Sequence, residues 1–147
     1  MYDTTYTYST DASSTAAAGV LGAFFMVYLI VVLIVAVVGI VALWKTFVKA
    51  GQPGWAAIIP IYNFYIMLKV IGRPAWWLVF LLLPIVPFVG PIALAVVFLF
   101  VSLDMAKSFG KSPTFGVVAL WIFSIIGYLI LGFGDAKYVG PAALKKA

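Results

Sequence analysis

From residue 16 to residue 44 the chain carries no charged side chain. About 20 apolar helical residues cross a hydrocarbon core of about 30 Å, and this stretch is longer. It is rich in valine and isoleucine, which lower helix propensity in water. In lipid the backbone must close its own hydrogen bonds within the segment, and a helix does so. A spanning helix near 18–44 is therefore the strongest single constraint on the fold. Lys45 and Lys49 follow Trp44 closely. Basic residues mark the cytoplasmic side, so residues 1–15, which hold Asp3 and Asp11 but no Lys or Arg, fall outside. They lack the positive n-region of a signal peptide and read as a flexible extracytoplasmic tail.

The rest of the composition agrees with a lipid solvent. Of 147 residues, 66% are hydrophobic and only 9% are charged, with a mean hydropathy of +1.22. A soluble domain is nearer half apolar. The expected fold is all-α, a polytopic transmembrane helical domain over 16–138 with a C-terminal tail at 139–147. Cysteine and histidine are both absent. That excludes disulfides, thiolate ligands and cysteine nucleophiles, together with the commonest general base and metal ligand. No metal, cofactor or enzymatic activity is expected. The net charge of +5 sits at turns and in the tail, which favours anionic lipid headgroups over nucleic acid as the partner.

One junction is written three times. A lysine is followed by a glycine, a proline and an aromatic that opens an apolar run: Lys49-Ala-Gly51-Gln-Pro53-Gly-Trp55, Lys69-Val-Ile-Gly72-Arg73-Pro74-Ala-Trp76-Trp77 and Lys107-Ser-Phe-Gly110-Lys111-Ser-Pro113-Thr-Phe115. Glycine suits the left-handed position that ends a helix, and proline suits the start of the next. Lysine in a last turn complements the helix dipole and reaches headgroups. Tryptophan belongs at the interface. Lys49, Trp55, Lys69, Arg73, Trp76, Trp77, Lys107 and Lys111 are thus candidate headgroup or interface residues.

Between the junctions the apolar runs are unequal. Residues 55–70 are short, interrupted by Pro60 and Asn63, and read as two helical pieces re-entering from the cytoplasmic face. Asn63 is the expected cap of a helix starting at Phe64. Residues 76–106 hold Pro84, Pro87, Gly90 and Pro91 at their centre, which favours a hairpin of two spans near 76–88 and 91–106. Residues 114–131 form the last span. Four spans keep all three junctions inside but put Lys137, Lys145 and Lys146 outside. Three spans, with 76–106 crossing once, return the tail and expel Lys107 and Lys111. The charge rule favours three; the likeness of the junctions and the prolines favour four, which is the expectation adopted.

Few residues suggest chemistry. Tyr62, Asn63 and Tyr65 lie beside a broken helix and are candidate ligand or transport residues. Asp104 lies near the end of an apolar run, three residues before Lys107. It reads as an interfacial ion pair with that lysine, or else as a cation site. Ser102, Ser108 and Ser112 lie near Lys107 and Lys111, but lysines at a surface turn stay protonated and make poor bases. Ala18 and Gly22 form one small-xxx-small pair that could seat another helix.

The run from Lys49 to Asn63, Gly72-Arg-Pro-Ala-Trp-Trp77, Phe109-Gly-Lys111 and Leu131-Gly-Phe-Gly-Asp-Ala-Lys-Tyr138 together resemble a family of small bacterial membrane proteins of unknown function, over roughly 45–138. Members are often labelled signal peptidase I. Signal peptidases carry a Ser-x-Met nucleophile motif and a soluble β domain; this chain has no Ser-x-Met and no stretch long enough for such a domain. The resemblance implies an inner-membrane protein. The expected role is a non-enzymatic accessory or scaffold subunit, self-associated or held in a larger membrane complex. A small transporter with its site near Asn63 is the alternative.

Overall fold

The computed structural model describes residues 5–144, with side chains from residue 12 onward. No strand occurs among the described residues. Five helices follow one another: α1 (Thr5–Lys49), α2 (Pro60–Ile71), α3 (Val89–Ser108), α4 (Pro113–Ile122) and α5 (Ser124–Phe133). Two 3-10 helices, Gly54–Ile58 and Ala75–Ile85, precede α2 and α3. The chain divides into two units, one ending at Val37 and one beginning at Val38.

The first unit is the outer part of α1. Its apolar side chains, from Val20 through Leu21, Phe24, Phe25 and onward to Val37, are exposed on every side. A helix apolar all round needs either a protein core or lipid around it. Helix begins already at Thr5, so the stretch from there to Thr15, expected to be a flexible tail, continues the helix. Residues 1–4 of that expected tail lie outside the described residues. A Cβ at Gly22 would meet nothing within 4 Å, so the expected small-residue pair seats no other helix here.

The second unit owns the core. Ala42, Thr46 and Phe47 of α1 are fully buried there, with Phe64, Ile66, Leu68, Val70 and Ile71 of α2, Val101, Met105 and Ala106 of α3, and Leu120 and Leu131. Glycines let the backbones cross closely. Gly116 lies against the Ser102 carbonyl and Leu103, and Gly132 against the Ala42 carbonyl, at distances a Cβ would violate. Small residues at such crossings are the usual device of helices packed in lipid, where burial of apolar surface gives no drive.

All three junctions close in the same way. Gly51, Gly72 and Gly110 take φ of 73°, 79° and 67°. The residue after each glycine donates its N–H to the carbonyl five residues back: Gln52 to Phe47 at 2.8 Å, Arg73 to Leu68 at 2.9 Å and Lys111 to Ala106 at 2.8 Å. That is the Schellman closure of a helix end, and the glycines were legible as its left-handed residue. Pro113 then occupies the first turn of α4, while Pro53 and Pro74 stand just before their 3-10 helices.

The expected break at 55–70 is present, but its parts differ from the sequence reading. Pro60 opens α2 rather than interrupting it, and Ile59 is the residue before the helix. Asn63 lies inside the first turn of α2 and caps nothing. Proline is tolerated there because the first N–H groups of a helix have no intrahelical partner.

Residues 76–106 fold back on themselves, as the central prolines imply. The 3-10 helix Ala75–Ile85 packs along α3. The turn is a γ-turn at Phe88, with φ 64° and ψ −56°, closed by the Val89 N–H on the Pro87 carbonyl at 2.8 Å. Positive φ is strained for a bulky residue, and Phe88 is 86% exposed. Only α1 and α3 are long and apolar enough to span by themselves. At about 2 Å per residue the 11-residue 3-10 helix reaches about 22 Å. α4 and α5 are bent by 119° at Phe123. The described helices therefore support two spans, or three if the bent pair is one, and not four independent ones.

Candidate functional site

The C-terminal segment turns out to be the organiser of one end of the second unit. Only its residues from 139 onward were expected to form a tail, with 134–138 counted in the helical domain. Instead, residues 134–144 run across all three junctions. At the first, the Lys49 ammonium donates to the carbonyls of Leu131 at 2.7 Å, Gly134 at 2.6 Å and Ala136 at 3.1 Å. A cation is favoured there because the last carbonyls of α5 have no helical partners and carry the negative end of its dipole. At the second, the Tyr138 hydroxyl donates to the Val70 carbonyl at 2.6 Å, and Pro141 and Leu144 cover Gly72. At the third, the Val139 N–H donates to the Ser108 carbonyl at 2.8 Å, the Ala142 N–H to Ser108 Oγ at 3.0 Å, and the Tyr138 ring packs edge-on against Phe109. Partial burial pushes the Tyr138 phenol above its ordinary pKa.

Three sequence readings need correction against this geometry. Lys49 was a headgroup candidate; its ammonium is committed to three carbonyls. Asp104 was paired with Lys107. It pairs instead with Arg73, whose Nε and a terminal guanidinium nitrogen lie 2.7 and 2.6 Å from Asp104 Oδ2. The fold back at Phe88 brings the start of one arm beside the end of the other, so partners 31 residues apart in the chain meet. Arg73 also lies over the Trp77 ring at 4.5 Å, so this interface tryptophan serves the ion pair. Two of the three hydroxyls near Lys107 and Lys111 are occupied: Ser108 accepts from the Ala142 N–H and Ser112 caps Phe115 at 3.3 Å.

Lys69 and Lys107 remain exposed, as headgroup contact requires, and Lys111 stands 5.8 Å from the Phe115 ring centroid. Trp76 is exposed and packs edge-on with Trp77 and Phe80.

The structure does bring Tyr62, Asn63 and Tyr65 together. Trp55, Tyr62 and Tyr65 form a stacked row, with centroids 5.2 and 5.7 Å apart. Asn63 Nδ2 donates to the Ala57 carbonyl at 3.5 Å, a long bond. Its Oδ1 is buried and has no hydrogen-bond partner. Asp104 belongs to the ion pair and not to this cluster. Among the described residues no group of three acidic residues could hold a metal.

Sequence reasoning missed the tail as a strap. The signal was faint: Tyr138 within Gly-Asp-Ala-Lys-Tyr is an aromatic in an otherwise polar turn, and only tertiary contact shows what it reaches.

Comparison with known proteins supports the part of the resemblance that concerns a family of unknown function. A family model, the Family of unknown function (DUF5684), matches residues 55–141, and the chain belongs to that family. The match opens at Trp55, after the first junction's lysine, and ends inside the strap. No curated protein and no solved structure matches the chain.

Proposed function

We propose that the protein is a non-enzymatic accessory or scaffold subunit of a bacterial inner membrane. In this reading α1 is the anchor, with its N-terminus outside, and the second unit enters lipid from the cytoplasmic face as folded-back helix pairs. The observation that carries the reading is the strap across all three junctions, which gathers the polar ends of α1, α2, α3 and α5 and the start of α4. The tips remote from it are apolar: Ile85, Val86, Phe88, Val89 and Ile92 at one turn, Ile122, Phe123 and Ile126 at the other, all exposed. Side chains of that kind are stable in lipid, not in water.

This arrangement also answers the charge rule. If the bent pair α4–α5 dips and returns, Lys45, Lys49, Lys69, Arg73, Lys107, Lys111 and Lys137, the basic residues among those described, all lie on one side. Neither topology drawn from the sequence achieved that, and positive charge concentrated inside is what sets orientation. The exposed outer part of α1, with its small residues Ala18 and Gly22, is the surface for a helix of a partner or a second copy.

Single cysteines at Gln52, Lys69, Lys111 and Ala143 test the sidedness, because the chain has no cysteine of its own. All four should react with an impermeant maleimide only from the cytoplasmic side. Reaction of position 111 or 143 only from outside overturns the arrangement. Recovery of nothing but monomer from mild detergent, with no partner, sinks the scaffold role.

A small transporter is the second reading, and the buried, unpartnered Asn63 Oδ1 beside the aromatic row favours it. Flux in reconstituted vesicles that Asn63→Ala removes would establish it; no flux for any candidate solute ends it.

A further inference from the structure

The second unit contains a cavity of about 430 Å³, within the size range of about 300–1,000 Å³ typical of small-molecule sites. Its wall is built by five helices. Leu43 comes from α1, Met67 from α2, Phe98 and Ser102 from α3, and Trp121 and Tyr128 from either side of the bend between α4 and α5. The bend is what opens it. α4 is wound as a π-helix over Gly116–Ile122, and the chain then turns by 119° at Phe123. π-winding within a helix is uncommon and recurs at functional sites. Gly127 allows the return, because a Cβ there would strike the Ala119 carbonyl. Trp121 is held in the wall by its indole N–H, which donates to the Ala95 carbonyl at 3.0 Å.

The lining is apolar except for three hydroxyls, on Ser102, Ser124 and Tyr128. None of the three makes a hydrogen bond within the described residues. Ser102 is 4% exposed and Tyr128 8%, so two of these hydroxyls are on side chains that are more than nine-tenths buried. Among the described residues Asn63 Oδ1 alone is a buried side-chain oxygen or nitrogen without a partner, so the hydroxyl oxygens of Ser102 and Tyr128 stay accessible within the cavity, where a polar head can reach them. No charged residue lines the space. At the rim, Trp121 and Ser124 are exposed beside the apolar tip, so on the membrane reading the cavity opens toward lipid, not toward the basic end.

We infer that this cavity is a binding site for a neutral amphiphile that arrives from the membrane. Its apolar chain lies among Leu43, Met67, Phe98 and Leu120, and its hydroxyl or carbonyl head bonds to the hydroxyls of Ser102, Ser124 and Tyr128. The absence of cationic lining residues selects against carboxylate and phosphate heads, whose desolvation nothing here would offset. The headgroup chemistry of the lysine-rich junctions is a separate surface.

The test uses the full chain in nanodiscs and a monoacylglycerol carrying a mid-chain diazirine as the probe, with adducts mapped by mass spectrometry. Adducts should fall within residues 95–102 and 120–128 and saturate with probe. Unlabelled monoolein should compete at least about tenfold better than oleate, since the lining offers the carboxylate no counter-charge. Tyr128→Phe and Ser102→Ala should each weaken probe binding by about fivefold, the typical contribution of one hydrogen bond. Ala95→Leu, which fills the wall, should abolish the saturable adducts. Ser124→Val lies at the exposed rim, where it cannot disturb the core, and should weaken binding like the other two hydroxyl losses. Adducts confined to the exposed face of α1, equal competition by oleate, or a Ser124→Val variant that binds as the parent does would each overturn the site. Maleimide labelling reports the sidedness independently, so a failed topology and a failed site give different results.

Discussion

The outer part of α1 and the second unit are built from the same kinds of residue and solve opposite problems. Up to Val37, valines, leucines and phenylalanines are exposed on all faces, and no side of the helix is adapted to another. From Ala42 one face of the same helix is buried, through Ala42, Thr46 and Phe47, and its polar residues become specific. The Thr46 hydroxyl donates to the Ala42 carbonyl at 2.8 Å and reaches the Tyr128 carbonyl at 3.4 Å, while Lys49 closes the end of α5. Hydrophobicity alone therefore does not make a core. Glycine crossings, a folded-back turn, one ion pair and a strap distinguish the packed unit from the anchor.

Substitutions can break that contrast, and the largest effect is expected in the ion pair. Arg73→Met leaves Asp104, whose side chain is 11% exposed, without its counter-charge. It should cost about 3 kcal/mol of stability in detergent, the usual scale for breaking a largely buried pair; a thermal midpoint unchanged within error would refute the pairing. An arginine in the anchor should act on insertion instead. Val31→Arg should raise the apparent insertion free energy by about 2.5–3 kcal/mol, measured by a glycosylation-reporter assay, whereas Val31→Ala should leave the second unit's unfolding midpoint within about 0.5 kcal/mol. Gly116→Val tests the close crossing. A Cβ would meet the Ser102 carbonyl at 2.9 Å, and overpacking should cost about 2 kcal/mol; the same change at Gly22, where nothing lies within 4 Å, should be tolerated.

Two smaller effects sharpen the role of the strap. Lys49→Met removes three bonds to carbonyls and should lose about 2 kcal/mol, with faster hydrogen exchange at residues 134–139. Tyr138→Phe removes one bond and should lose about 1 kcal/mol. It also carries a pH signature. The folded phenol ionises above its unfolded value of 10.0, so between the two values the folded state holds a proton that the unfolded chain has released. Stability from Tyr138 is thus complete below about pH 10 and falls as pH rises through the folded pKa. The parent should lose more stability than Tyr138→Phe on going above pH 10, and parallel curves would argue against a buried phenol.

How much was legible varies by element for physical reasons. The left-handed glycines were readable because a helix end is settled by neighbours within six residues. The fold back near Phe88 was readable because Pro84, Pro87 and Pro91 cannot all sit inside one helix. Asn63 misled because side-chain capping competes with proline for a helix start, and Pro60 won. Asp104 misled because a local partner at Lys107 was visible while Arg73, 31 residues away, was not. Gly22 of the expected helix-seating pair meets nothing within the described residues, whereas Gly116, Gly127 and Gly132 lie against neighbouring backbone, since a small residue shows its purpose only when a neighbour's backbone lies against it.

The sequence by itself determined the helical class, a first helix long and apolar enough to cross a membrane, and the three helix ends, because each follows from hydrogen-bond closure and composition within a short segment. The tertiary structure alone decided which side chains are spent on packing: Lys49 on carbonyls, Arg73 on Asp104, Tyr138 on Val70. It also decided that the bend at Phe123 leaves a hydroxyl-lined cavity. Those outcomes depend on contacts between residues tens of positions apart, which local composition does not encode.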